Sequence, residues 1–444
     1  MLDSARLHRI LGLALPVIGG MISQNVLNLV DSAMVSRVGD NDIALAAVGI
    51  GGFALFATQS ILLGLSTGVQ ASASRRKGEG RESETALFLN AALLIVAICA
   101  PLLAITMFFM VPDIFPYLNA DPAVIALGVP YMQIRLAGIV FVGMNFSFRG
   151  YWNAIDMTRM YLTTLLIMHA INIALNYVLI FGHFGFPELG VRGAAIASVI
   201  SLGVGTGIYF TFGWYHVRGF GFMKGLPTFA DIRKLVEISL PSGLQQLFFS
   251  AGFLALFYVI GRVGTTELAA ANVLINIMLV AILPGMGLGL AAATLVGQAM
   301  GRGDLDDASQ WAWDVVKVAA IGMTCLGLPM VLIPETILLL IYELDEETLA
   351  ATLMPMRIVG IGMAIEALAM VMMQALQGAG DTRRVMLVGV TGQWFLMLPS
   401  AFLIGPVLGF GLTGIWLVQS VVRALQAVVF VRLWRGRAWA RIAI

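Results

Sequence analysis

Long apolar runs, divided by short charged or Gly/Pro-rich breaks, follow one another along almost the whole chain. Roughly 20 apolar residues in helical form cross the hydrocarbon core of a bilayer. Twelve such runs lie near 11–36, 44–72, 86–110, 124–148, 161–182, 190–215, 234–260, 268–297, 312–333, 351–376, 385–405 and 411–433. The pattern predicts an all-α polytopic membrane protein with twelve transmembrane helices.

Composition agrees. Of 444 residues, 59% are hydrophobic and 11% charged, against about 25% charged in a soluble domain. The opening, Met1 to Arg9, is polar and basic, and the apolar run behind it is too long for a cleavable leader. Cys99 and Cys325 fall inside apolar runs without CxxC spacing and read as small hydrophobes. GxxxxGK[ST], HExxH and Cys/His clusters are absent, so neither ATP drive nor a metal centre is expected. Clustered catalytic ligands and a nucleophile beside a base are likewise missing, which argues against an enzyme. Nothing points to nucleic acid.

The net charge of +1 is uninformative, but its distribution is not. Twelve spans put both termini on one side. The loops of that side, from Arg6 and Arg9 through the run Arg75, Arg76 and Lys77 to Arg441, hold nineteen of the 26 Lys and Arg. The opposite side has Arg37, Arg192 and Arg262, with Glu343, Asp345, Glu346 and Glu347 gathered there. The positive-inside rule then places both termini in the cytoplasm.

The chain also repeats. LALPVIGG aligns with ISLPSGLQ, pairing Pro16 with Pro241. Arg37, Val38 and Gly39 then meet Arg262, Val263 and Gly264; Gly64 meets Gly287; Thr158 meets Thr382; Gly190 and Gly193 meet Gly411 and Gly414. Six spans therefore occur twice in one orientation, an arrangement used by transporters with the substrate near the interface of the halves. Residues 1–217 form the expected first lobe, 218–232 the linker and 233–444 the second lobe.

Against that repeat, the polar residues inside spans stand out. Gln24, Asn28 and Asp31 recur at i, i+4 and i+7 on one helix face, and His169, Asn172 and Asn176 share a face of the fifth span. An acid within a span is either a structural group bonded to a neighbour or a functional one. The repeat gives Leu256 opposite Asp31, and Gln393, Leu396 and Ser400 opposite the fifth-span stripe. Packing would serve both halves alike, so the asymmetry favours a site. His169, which changes charge near neutral pH, reads as a proton relay or as a hydrogen-bonded packing element. Pro16 with Gly19 and Gly20 reads as a hinge or as an ordinary kink. Gln59, Gln70, Met168 and Gln245 are further candidates for contacts with a bound compound. Arg135 either snorkels to the interface or pairs with an acid.

These residues resemble the multidrug and toxic compound extrusion (MATE) family. The likeness is carried by LALP, NLVDSAMVSRVG, GLSTGVQASASRRKGEG, FRGYWNAIDMTR, NIALNYVLIFGHFGFPELGVRGAAIAS and ALQGAGDTRR, and runs from about Leu7 to Arg432. Asp31 with Asn172 and RGYWNAID looks most like the DinF-type prokaryotic branch. The resemblance implies two six-helix lobes around a central cavity, a monomeric antiporter of the bacterial plasma (inner) membrane that exchanges drug-like compounds for protons or sodium, with no cofactor. Carried over by position, the first-lobe cation site falls on Asp31, Asn172, Asn176 and Ser198. Asn176 stands where some relatives have a second acid, which tilts the reading toward protons, because sodium prefers several oxygens including anionic ones. Glu366 stands where the NorM-type branch has a second-lobe acid, whereas Phe249 and Ser250 occupy the neighbourhood of its seventh-span acid. Glu366 is thus a second cation or substrate contact, or a buried acid paired with Arg357 or a polar neighbour. A flippase for lipid-linked oligosaccharides is the main rival; it requires intramembrane arginines for pyrophosphate, and the first half offers mainly Asp31 and Arg135.

Overall fold

A computed structural model describes residues 3–38 and 41–442; Gly39 of the repeat alignment lies outside them. Sixteen α-helices and no strands occur among the described residues. They are α1 (Ser4–Val35), α2 (Asn41–Gly78), α3 (Leu87–Leu118), α4 (Pro122–Ala137), α5 (Ile139–Ala154), α6 (Thr158–Phe181), α7 (Gly190–His216), α8 (Phe229–Gly261), α9 (Thr265–Ala281), α10 (Leu283–Gly301), α11 (Leu305–Leu332), α12 (Pro334–Ile341), α13 (Glu346–Gly378), α14 (Thr382–Thr391), α15 (Leu398–Phe402) and α16 (Gly411–Arg435). Eleven stretches are long and apolar enough to cross a membrane, and α4 with α5, bent by 51°, makes the twelfth. The break falls at Gly138, whose amide bonds back to the Arg135 carbonyl. In the second half the breaks fall elsewhere: at Ile282, just before Pro284, and in π-helical turns at Gly392–Met397 and Leu403–Val407.

The helices group into two compact units. One comprises Gly19–Lys77 and Arg81–Gly243; the other comprises Met1–Ile18, Gly78–Gly80 and Leu244–Ile444, of which 3–442 are described. α1 is divided after Ile18 and α8 after Gly243, each two residues beyond the repeat-related prolines Pro16 and Pro241. Repeat-related glycines hold these opening turns. A Cβ on Gly64 would lie 2.3 Å from the Ser239 carbonyl oxygen of α8, and one on Gly287 would lie 2.4 Å from Ile18 of α1. Only glycine admits such close approach of helices.

In the first unit, Phe148, Trp152 and Tyr209 are fully buried and stack at 5.3–6.3 Å with Phe222 against them. The segment after α7 is pinned rather than loose: Asn90 donates to the Gly221 carbonyl at 2.9 Å and accepts from the Met223 amide at 3.0 Å. In the second unit, Arg6 of α1 donates to Asp307 and Asp314, both at 2.7 Å, and its guanidinium lies 3.7 Å over the Trp311 ring. Arg9 donates to Gln298 at 2.6 Å.

Candidate functional site

α1 carries Gln24, Asn28 and Asp31 on one side, as the helical spacing requires, and α6 turns His169, Asn172 and Asn176 toward it. Asn176 is the joint between them. One N–H of its amide donates to Asp31 Oδ1 at 2.6 Å and the other to Asn172 Oδ1 at 3.0 Å. Asn172 in turn donates to Ser198 Oγ at 3.4 Å and to Ser201 Oγ at 3.3 Å, both on α7. Ser201 Oγ in turn donates to the Ser198 carbonyl at 2.9 Å. Three helices thus meet through one chain of donors ending on a single carboxylate. Asn172, Asn176, Ser198 and Ser201 are buried, and Asp31 is half-buried. Oδ1 of Asn176 is a buried acceptor without a partner.

A second network lies two turns away. His169 Nε2 is 3.1 Å from Gln24 Oε1, its Nδ1 is 2.7 Å from Ser23 Oγ, and Gln24 donates to Asn28 at 3.1 Å. Both ring nitrogens of His169 are therefore partnered. Gly19 and Gly20 face α6, where a Cβ on Gly20 would meet the Tyr161 ring at 2.7 Å. α1 runs as one helix through Pro16. These glycines have a packing reason for their size whatever α1 does in motion.

The other candidates lie apart. Met168 is buried, with its sulfur 2.0 Å from where a Cβ on Gly205 would stand, so it packs between α6 and α7. Gln59 is half-buried on α2 and belongs to neither network. In the other unit, Gln245 accepts from Gln377 at 3.1 Å and contacts Met373 Sδ at 3.4 Å. Glu366 is also there, and its partner corrects the expectation. Arg423 of α16, not Arg357, grips the carboxylate: Nε donates to Oε2 at 2.6 Å and Nη2 to Oε1. Arg357 lies nine residues before Glu366 on the same helix, which places it on the opposite face.

Ser201, Ser23 and Arg423 were not anticipated. Ser201 lies one turn beyond Ser198, a spacing that could have drawn it in. An arginine in the middle of the last apolar run was itself a signal that an acid had to lie nearby. Cys99 and Cys325 are free and exposed. No group of His, Cys, Asp and Glu able to hold a metal ion occurs among the described residues.

The chain as a whole is similar to known proteins. The sequence pattern of the MatE family matches residues 16–178 and again 241–403, beginning each time at the proline that the repeat pairs. A "Probable multidrug resistance protein NorM" of Thermotoga maritima is 26% identical over 436 residues, covering 97% of this chain and 93% of that protein. "Multidrug resistance protein NorM" of Burkholderia vietnamiensis is 27% identical over 448 residues, covering 98% and 93%. A solved structure, described as an outward-facing conformation of a multidrug resistance MATE family transporter of the MOP superfamily, superposes with a TM-score of 0.89. It is 20% identical and covers 98% of this chain and 96% of its own.

Proposed function

This chain belongs to the MatE family, and on that premise we propose that it is a secondary active multidrug efflux antiporter of the bacterial plasma membrane. It exports lipophilic, often cationic compounds in exchange for protons. Relatives named for multidrug resistance support the substrate class. The observation that carries the mechanism is the Asn176 amide bonded 2.6 Å from Asp31, in a half whose repeat partner has Leu256 at that position. With its proton off, Asp31 gives the pocket a negative charge that a lipophilic cation satisfies; with the proton on, that attraction is gone. Asn172, Asn176 and Ser198 hold the carboxylate in place through both states. Mutual exclusion of proton and drug at one acid is what antiport requires, provided the halves 1–217 and 233–444 alternate its exposure. One charge moving across 100 mV is worth about 2.3 kcal/mol, enough to sustain a modest gradient of drug.

Protons are favoured over sodium by the donor set. Asp31 is the one anionic group among Asp31, Asn172, Asn176 and Ser198, and it and Asn172 each accept an N–H from Asn176. A proton needs only one carboxylate, whereas sodium prefers several oxygens, including anionic ones. The lysine and arginine distribution supports cytoplasmic termini, and we read the working unit as a monomer. Proteoliposomes loaded with a fluorescent lipophilic cation test the coupling. Efflux is expected under an imposed pH gradient without sodium, whereas efflux driven only by a sodium gradient would overturn the proton reading.

A further inference from the structure

The second half carries its own intramembrane charges, and they come as a pair. Arg423 lies twelve residues from either end of α16 and Glu366 twelve residues before the end of α13. Both are therefore deep in their spans. Their side chains keep 28% and 22% of their exposure, so the pair is reachable rather than sealed. A charged pair open to hydrocarbon at that depth would be costly, which leaves a water-filled face as its setting.

The repeat shows that the fold does not need the pair. At the offset that joins Thr158 to Thr382, Glu366 falls opposite Val142; at the offset that joins Gly190 to Gly411, Arg423 falls opposite Leu202. The first half packs apolar side chains at both places. Around the pair the second half adds amides. Gln426 accepts from Arg423 at 3.2 Å, and Gln419, one turn before Arg423, has a buried Oε1 without a partner. Gln426 also closes on Gly392, where a Cβ would meet its amide at 2.3 Å, at the start of the π-helical turn. Such turns gather at functional sites.

We propose that Glu366 and Arg423 form an exchangeable ion pair that receives zwitterionic substrates. The carboxylate of the compound takes the Arg423 guanidinium in the bidentate manner that Glu366 uses now, while its ammonium takes the Glu366 carboxylate. A zwitterion replaces both partners and leaves no charge unpaired. A monocation of the same shape satisfies Glu366 only by stranding Arg423, and this penalty sets the preference. The inference narrows the substrates of the efflux reading above and rests on it for its physiological meaning. Its test does not require a gradient.

Binding is measured by fluorescence polarisation with the purified full chain in detergent, using a rhodamine with a free carboxylate and the methyl ester of the same dye. Wild type is expected to bind the zwitterion more tightly than the ester. Arg423→Gln is expected to weaken the zwitterion roughly tenfold or more relative to the ester, the usual scale for losing a charge-assisted contact, because the ester no longer strands an arginine. Should the lone Glu366 impair folding, Glu366→Gln/Arg423→Gln keeps the site neutral and is expected to lose the preference for the zwitterion. Equal weakening of both dyes, no weakening of either, or failure of wild type to prefer the zwitterion would each overturn the proposal. A chain that binds selectively but exchanges no cation for dye across a membrane would contradict the antiport reading and leave this site standing.

Discussion

Asp314 of α11 is held at 5% side-chain exposure by two cations: Arg6 Nε at 2.7 Å and Lys317 Nζ at 3.0 Å, the latter on a side chain 56% exposed. Arg6 comes from the opening turns of α1, which belong to the same compact unit as α11. Replacing Arg6 by Met removes the better-buried cation and leaves a buried carboxylate served by one solvent-facing lysine. Breaking a buried pair from one side costs about 3–5 kcal/mol. The contact of the guanidinium with the Trp311 ring adds about 1 kcal/mol, and the remaining lysine offsets part of the total. A net loss of about 3 kcal/mol is expected, or a fall of roughly 5 °C in the melting temperature of so large a chain. Asp307 keeps Arg302 at 2.8 Å and the Trp311 indole at 2.9 Å, and so contributes little to the loss. The assay is thermal unfolding in detergent of wild type, Arg6→Met, Asp314→Leu and the double variant. The double variant is expected to recover most of the loss, because apolar replacement of both partners removes the buried charge. A double variant as unstable as the sum of the singles would refute the reasoning.

Three further outcomes follow from the same structure. Gly64→Val puts a Cβ 2.3 Å from the Ser239 carbonyl and 2.6 Å from the Gly243 amide nitrogen; it is expected to abolish recovery of folded protein, whereas Gly12→Ala, with open space around it, leaves recovery unchanged when both are followed by size-exclusion chromatography. Asn176→Leu removes the donor from both Asp31 and Asn172; gradient-driven efflux is expected to slow about tenfold, the scale of a charged hydrogen bond, with a fall of a few degrees in the melting temperature because the buried Asn172 Oδ1 is left without its donor. Asp381, between α13 and α14, is buried, and burial lifts its carboxyl above the ordinary value despite Arg384 beside it. Its native form therefore holds a proton that the unfolded chain has already lost, so stability falls as pH rises through that window; Asp381→Asn is expected to flatten this slope in melts from pH 4 to neutrality, and an unchanged slope would remove the assignment.

Much of the site was legible because helical spacing alone fixes which side chains share a face. Gln24, Asn28 and Asp31 do so on α1, and His169, Asn172 and Asn176 on α6. Spacing within a helix cannot say which face meets which, and there the sequence was mute. That Asn176, rather than His169, bonds to Asp31 is a matter of how α1 and α6 cross. Serines escaped notice because a hydroxyl inside a span commonly bonds to its own helix, as Ser147 does to Gly143, so Ser201 looked unremarkable. The partner of Glu366 was misplaced because Arg357 is near in sequence; across the helix axis it is remote, and α16 supplies the cation instead. The twelve spans followed from hydropathy, but the division of α1 and α8 at Ile18 and Gly243 did not. Its traces in the sequence were the pairings of Pro16 with Pro241 and of Gly64 with Gly287, the latter converted by packing into two seats for opening helices.

The central claim is that Asp31 is the group at which cation and drug exclude one another. Its most direct test is efflux of a lipophilic cation from proteoliposomes under an imposed pH gradient, comparing wild type with Asp31→Asn, which keeps the shape and the Asn176 neighbour but cannot gain or lose a proton. The account predicts gradient-driven efflux by wild type and none above leak by the variant; undiminished efflux by Asp31→Asn would contradict it.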